Sequence, residues 1–314
     1  MANTINYASK YSRKLLEAIT QGALVAPLIT SAVDWLDAKN FHFTGMQVSG
    51  FKDASARSLG WNIGEITQTD HVYTLEHERN ILLPVHKADV DESNLTATIA
   101  NIAARFTQTQ HIPEVDAYTF SKIASFAKQI QQAGTDNDGT VFETAALATW
   151  TKENAYTKIV QAIGKAKLKL YRADGRGVEG WVRTEIMDLL ALSTELQHRM
   201  NVERNMLSGV ETRVVNVNGV RLHEVVNTER FKTAYDFTNG FAATEDAGEI
   251  NVLFCAPAKV KVVPKINDIY FYEPGSDTNL GNNYGYAEYA LMDAFMFRND
   301  ATNKYDSFYV EATA

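Results

Sequence analysis

The chain has 314 residues, 45% of them hydrophobic and 22% charged, which is the composition of a packed protein and excludes a disordered, repetitive or collagen-like chain. Thirty Lys+Arg against 38 Asp+Glu leave a formal net charge of −8, a poor balance for coating nucleic acid by neutralising phosphates. A single Cys excludes an intrachain disulfide framework and a cysteine zinc cluster, and the length corresponds to about two domains of ordinary size.

The first 40 residues read as an arm. Residues 12–19 suit a short helix, but Thr, Asn and Ser dominate before it, and the segment has too little apolar area to fold alone. The apolar run 23–33 is interrupted by Pro27 and followed by no cleavage pattern, so no secretory signal is expected. No stretch is long and apolar enough for a membrane-spanning helix.

Residues 40–90 predict a long hairpin with a broad tip. Phe41, Phe43 and Phe51 share one parity, with Met46 and Val48 on the other. Gly50, Gly60 and Gly64 mark the tip, and alternation resumes from 66 to 85 with Tyr73, Leu75, His77, Arg79 and Ile81 on one face. Neither face is apolar enough for a monomer core, and a two-stranded hairpin alone is marginal in water, so it needs a partner surface.

Helix follows. Asp91 or Ser93 caps it, and Leu95, Ile99, Ile102 and Phe106 fall at helical spacing. Pro113 kinks or restarts it, Val115 to Ile130 continue the apolar stripe, and Gly134 is a natural stop before the turn-rich segment 135–140. Thr151 is expected to cap a helix carrying Tyr156, Ile159 and Ile163. After a charged, glycine-containing loop at 172–180, Trp181 and Val182 form a short strand, and Thr184 caps the next helix. Beyond Gly209 the chain reads as mostly β, with strands at 214–217, 222–226, 250–255, 260–263, 269–272, 284–297 and 308–310.

No catalytic constellation emerges. The histidines His42, His71, His77, His86, His111, His198 and His223 show no metal-ligand spacing and read as exposed or interface residues. Cys255 sits in an apolar strand and reads as a buried small hydrophobe. Gly175, Gly177 and Gly180 lack the strand and the Lys-Ser/Thr ending of a phosphate loop. Asp89, Asp91 and Glu92 suit a helix N-terminus without any metal. Lys165, Lys167, Lys169 and Arg172 lack interleaved aromatic platforms and read as a solvated or interface face. No cofactor, metal or catalytic residue is expected, and the chain is not read as an enzyme.

The order of arm, hairpin and long helix resembles the major capsid proteins of tailed bacteriophages with the HK97-type fold, in particular those of phages of Gram-positive hosts. The opening MANTINYASKYS looks like their N-terminal arm. HIPEVDAYTFSKIA (111–124) is similar to the family's IPEVDxYxxSKLA segment at the spine helix. TKENAYTKIVQAI (151–163), GWVRTEIMDLLA (180–191), RVVNVNGVRLHEVVNTERF (213–231) and GYAEYALMDAFMFRNDATNKYDSFYV (285–310) resemble, in the same order, the start of the axial domain, its strand-then-helix, its paired strands and the closing aromatic hairpin. The charged segment 172–180 and the glycine patch depart from the family pattern.

The resemblance implies an α+β, HK97-like fold. Its parts would be an N-terminal arm (1–39), an extended β-hairpin loop and its base (40–90), and the spine helix with the rest of the first peripheral segment (91–150). An axial domain (151–262) and C-terminal strands returning to the peripheral domain (263–314) would complete it. It implies an icosahedral head shell of hexamers and pentamers, assembled in the host cytoplasm, resident in the virion, and enclosing double-stranded DNA without sequence-specific binding. Implied partners are other copies of the chain, a portal protein, optionally a decoration protein, and, because arm-like sequence begins almost at Met1, a separate scaffolding protein; no membrane is involved. Phe51, Lys52, Arg57, Trp61, Tyr73, His77 and Arg79 are the expected inter-subunit contacts, with loops 172–180 and 239–248 the candidates for hexamer and pentamer centres. Some members cross-link a loop Lys to an Asn beside a Glu. Lys52, Asn282, Asn283 and Glu288 are the residue types available here, but nothing marks an activated lysine, and no cross-link is expected. The alternatives are a nanocompartment shell of the same fold enclosing cargo protein, and a soluble enzyme with a dispersed site.

Overall fold

The computed structural model describes residues 22–31, 33–37, 39–52, 63–86, 99–134, 141–165, 168, 177–193, 202–207, 210–275, 280–299 and 304–313. Strand β1 (Asp34–Trp35) pairs with β2 (Asn40–Val48), which pairs along its whole length with β3 (Ile66–Thr74) in an antiparallel hairpin. The alternation continues through β4 (His77–His86), where odd positions face inward and even positions face out. The chain nevertheless changes sheets between β3 and β4. Leu75 N–H still donates to Lys39 O at 2.9 Å, one step beyond the Asn40–Thr74 pair, but Glu76 N–H donates to the Asp293 side chain (Oδ2, 3.0 Å), so the β2–β3 pairing ends there. The single extended run of the sequence is therefore a hairpin arm followed by a body strand.

Helix α1 (Ile99–Phe106) runs into α2 (Ile112–Ala133) through a π-turn at Thr107–His111. Proline has no N–H to return to the fourth residue before it, and the turn just before Pro113 is widened, with Ile112 N–H bonding Thr107 O. The helix stops where expected: Gly134 adopts φ +66°, and its N–H caps Ile130 O at 3.2 Å.

After β5 (Phe142–Thr144) come α3 (Ala155–Ile163), β6 (Glu179–Arg183) and α4 (Thr184–Ala191). The two threonines expected to cap the helices do not. Thr151 donates its N–H to Asn154 Oδ1 at 2.8 Å, and the Thr184 hydroxyl donates to Val225 O at 3.0 Å, tying α4 to a strand instead. Strands β7 (Val202–Leu207), β8 (Val210–Val217) and β9 (Val220–Val225) follow, then the short pair β10 (Tyr235–Asp236) and β11 (Ala242–Ala243). The C-terminal part holds β12 (Ile250–Cys255), β13 (Val260–Tyr272), β14 (Asn283–Met296) and β15 (Phe308–Ala312).

Among the described residues, a seven-stranded mixed sheet has the order β5-β15-β12-β6-β9-β8-β7, and a three-stranded antiparallel sheet has the order β13-β14-β4. The two strands expected at 260–263 and 269–272 are one, because Pro264 lies on the edge strand at a bulge where a missing N–H breaks no ladder. The strands of residues 263–314 are shared between the two sheets. Strand β14 pairs with β4, whereas β15 inserts between β12 and β5 in the seven-stranded sheet. β12 and β15 are buried at every position, so they need cover on both faces.

Within the stretch 1–39 read as an arm, part of the described chain packs on the body. Ala23, Leu24, Val25 and Leu28 are buried in the chain's own core. Trp181 Nε1 donates to Leu24 O at 2.9 Å, and Thr30 N–H donates to Val262 O at 2.9 Å. The apolar content of residues 23–28, set in a polar surrounding, is what draws this stretch inward. Residues 1–21 lie outside the described residues.

Candidate assembly surface

The hairpin is rooted by aromatic packing. Phe41 (1% exposed) stacks on Tyr73 at 5.5 Å and meets Phe295 edge-on at 4.9 Å, and Tyr73 meets Phe297 at 5.0 Å. Leu75, Val263 and Leu291 complete this second core, and burial pushes the Tyr73 phenol up to about 12. Such a root fixes where the hairpin leaves the body.

Beyond the root the even-numbered face carries exposed apolar side chains among polar ones, Thr44 there donating to Asp70. The register places Val48 opposite Ile66 and His42 opposite Val72, and Met46, Val48, Ile66 and Val72 are each at least 58% exposed. Phe51 and Ile63 extend the same character to the ends of the described strands. Isolated exposed apolar side chains are ordinary, but a row of them on one projecting ribbon marks a surface made to be covered.

The expected contact residues separate into three groups. Phe51 and Lys52 are exposed at the distal end, with Lys52 Nζ donating to Ile63 O at 2.7 Å. Tyr73, His77 and Arg79 are engaged inside the chain: Tyr73 in the root, His77 stacked on Tyr118 at 3.8 Å, and Arg79 paired with Glu114 at 2.5 Å. His77 and Arg79 share the parity of the hairpin but belong to the body strand β4, because the change of sheet at Leu75–Glu76 leaves the period of two intact. Arg57 and Trp61 lie outside the described residues, as do Asp89, Asp91, Glu92 and most of the 165–172 basic segment.

Several histidines are less exposed than expected. His77 and His223 are each 8% exposed, His223 Nε2 lies 2.8 Å from Glu179 Oε2, and His111 Nδ1 lies 2.6 Å from Glu288 Oε1. Cys255 is fully buried, and burial pushes its thiol well up, away from reactive thiolate chemistry. Among the described residues no group of three or more His, Cys, Asp or Glu is placed to hold a metal ion, and no helix is long and apolar enough to cross a membrane. Glu288 is buried against His111 and Tyr286 within the chain, and Lys52 is held at the hairpin's distal end. The residue types of a cross-link are therefore present without a shared location in one chain.

More than nine-tenths of the chain superposes on solved phage structures. The bacteriophage PhiM1 mature capsid matches with a TM-score of 0.62 at 16% identity, covering 93% of this chain and 87% of that one. This chain has the HK97-type capsid fold. The cyanophage P-SCSP1u capsid matches with a TM-score of 0.57 at 12% identity, covering 92% and 86%, and the Mycobacterium phage Cain structure with 0.57 at 12%, covering 94% and 90%. No family model and no curated protein matches the sequence.

Proposed function

We propose that the chain is the structural subunit of an icosahedral bacteriophage head shell, forming hexamers and pentamers that enclose double-stranded DNA. The observation that carries this reading is the hairpin: rigidly rooted by Phe41 and Tyr73, yet presenting Met46, Val48, Ile66 and Val72 to solvent. A monomer gains nothing from that arrangement, whereas a neighbouring copy covering the row would bury it. The capsid fold supplies the context, and the net charge of −8 suits a container that holds DNA without adhering to it. The role is structural and not enzymatic. Assembly would take place in the host cytoplasm, with portal and scaffolding proteins as partners, and the assembled shell would reside in the virion.

Electron microscopy and sedimentation of the purified chain, alone and with its scaffolding partner, test the proposal. Closed particles of uniform diameter are expected. A folded monomer that forms no particles under either condition would refute it.

A further inference from the structure

The dipeptide Asn–Gly occurs twice in the sequence, at Asn218–Gly219 and at Asn239–Gly240, and all four residues are exposed. This pair of residues is suited to a reaction of the chain with itself. A glycine has no Cβ to obstruct its amide nitrogen, which can meet the Asn side-chain carbonyl carbon and close a five-membered ring. The structure places the two instances in opposite situations.

Asn218–Gly219 is the turn of the β8–β9 hairpin. Val217 pairs with Val220 across it, and both turn residues have positive φ, +51° at Asn218 and +79° at Gly219. Two left-handed residues in a two-residue connection match the twist of the strands they join. The Gly219 N–H, the group that would attack, donates to Asn216 Oδ1 at 3.0 Å. Ring closure there has to break that bond and open the turn.

Asn239–Gly240 lies in the loop between β10 and β11. Asp236 Oδ1 fixes the start of the loop by accepting the Thr238 N–H at 2.9 Å and its hydroxyl at 2.6 Å. The Arg79 guanidinium then takes the carbonyls of Phe237 and, at 3.1 Å, Gly240. These fastenings leave the Gly240 N–H without an acceptor among the described residues. A Cβ placed on Gly240 would meet nothing within 4 Å, and Asn239 borders a cleft of about 490 Å³ between the loop, β4 and α2. The attacking nitrogen is uncommitted, and the space that a ring needs is open.

We propose that Asn239 is a site of spontaneous conversion from amide to acid, and that the β8–β9 turn protects Asn218 from the same reaction. The Gly240 amide nitrogen gives its proton to hydroxide and attacks Cγ of Asn239. The bond from Cγ to the side-chain nitrogen breaks, and ammonia leaves with a proton from water. Water then opens the cyclic imide at either carbonyl, leaving aspartate or isoaspartate. The net change is amide plus water to acid plus ammonia, with no oxidant or reductant. The product carries a new negative charge on a cleft that Glu114 and Glu288 already line, and isoaspartate adds one carbon to the main chain between the two carbonyls that hold Arg79.

Peptide mapping by mass spectrometry, on the folded full chain incubated at mildly alkaline pH, tests the proposal by locating the mass gain of amide to acid at each residue. Asn239 is expected to convert at least about tenfold faster than Asn218, the factor that one retained hydrogen bond and its turn supply. In denaturant, where only the shared dipeptide remains, the two rates are expected to converge. Asn239→Gln, which closes only a six-membered ring, is expected to lose the signal at 239 and to keep the slow one at 218. Equal rates at the two sites in the folded chain would overturn the proposal. So would an unreacted Asn239 over a period in which the unfolded chain converts, or a difference between the sites that persists unchanged in denaturant.

Discussion

The carboxylate of Asp116, fully buried in the second turn of α2, accepts the backbone N–H of Val25 at 3.1 Å, joining residues 91 apart in sequence. Its other oxygen takes Arg230 Nη1 at 2.9 Å. One side chain thus pins the start of the described chain and the loop after β9 to the spine helix. Asp116→Ala leaves a buried guanidinium and a buried amide without their acceptor. It is expected to cost about 3–5 kcal/mol in denaturant unfolding and to expose residues 22–29 to limited proteolysis. Unchanged stability would show that the pin contributes nothing.

Asp116 also sets a pH dependence. Burial raises its carboxyl to about 6 against the Arg230 charge and the amides of Val25 and Leu24, from an ordinary value of 3.8. The folded state therefore holds a proton that the unfolded state has released between those two values. This group's contribution to stability is full below about pH 4 and is lost as pH rises through about 6. Asp116→Asn is expected to remove that slope from the stability–pH profile.

The exposed hairpin row separates assembly from folding. Replacing Met46, Val48 and Ile66 with Ser or Gln is expected to leave thermal stability of the isolated chain within about 0.5 kcal/mol per site, since each side chain is exposed. Particle yield by sedimentation is expected to fall steeply. Normal yield from the triple variant would remove the hairpin face from the assembly surface.

The root behaves oppositely. Phe41 is buried among Trp35, Tyr73 and Phe295. Phe41→Ala is expected to cost about 3–5 kcal/mol in the isolated chain and to loosen the hairpin's departure angle, measured as lost exchange protection in β2 and β3.

Gly180 reports on the packing of the seven-stranded sheet. A Cβ there would lie 2.5 Å from Phe254 Cε1 and 3.0 Å from Leu222 Cδ2, both in the core. Gly180→Ala is expected to destabilise by about 1–3 kcal/mol in chemical denaturation, through overpacking.

Local periodicity carried much of the fold. The period of two in 40–48 and 66–74 announced the hairpin, the apolar spacing from Ile102 to Ile130 announced the spine helix, and Gly134 marked its end. Failures came where a residue had two local uses. Thr151 and Thr184 have the chemistry of caps, but α3 starts only after Asn154, three residues beyond Thr151, and the Val225 carbonyl takes the Thr184 hydroxyl. Pro264 has the chemistry of a strand break, but an edge position made it harmless. The contacts of Arg79 with Glu114 and of His111 with Glu288 left no trace in spacing, because they join three separate stretches of chain.

The sequence by itself determined that the chain packs a core, that it carries a long hairpin neither face of which is apolar enough to form one, and that it holds no local motif for metal or nucleophile chemistry. Side-chain period and composition are local quantities, and these conclusions need nothing more. Only the tertiary structure decided that residues 22–29 belong to the core, that β3 and β4 part at Leu75, that β15 joins the seven-stranded sheet, and that His77 and Arg79 face inward to Glu114. The physical reason is common to all four. Each depends on which distant surface offers burial or a partner for a buried polar group, and a strand's alternation is the same whichever sheet receives it.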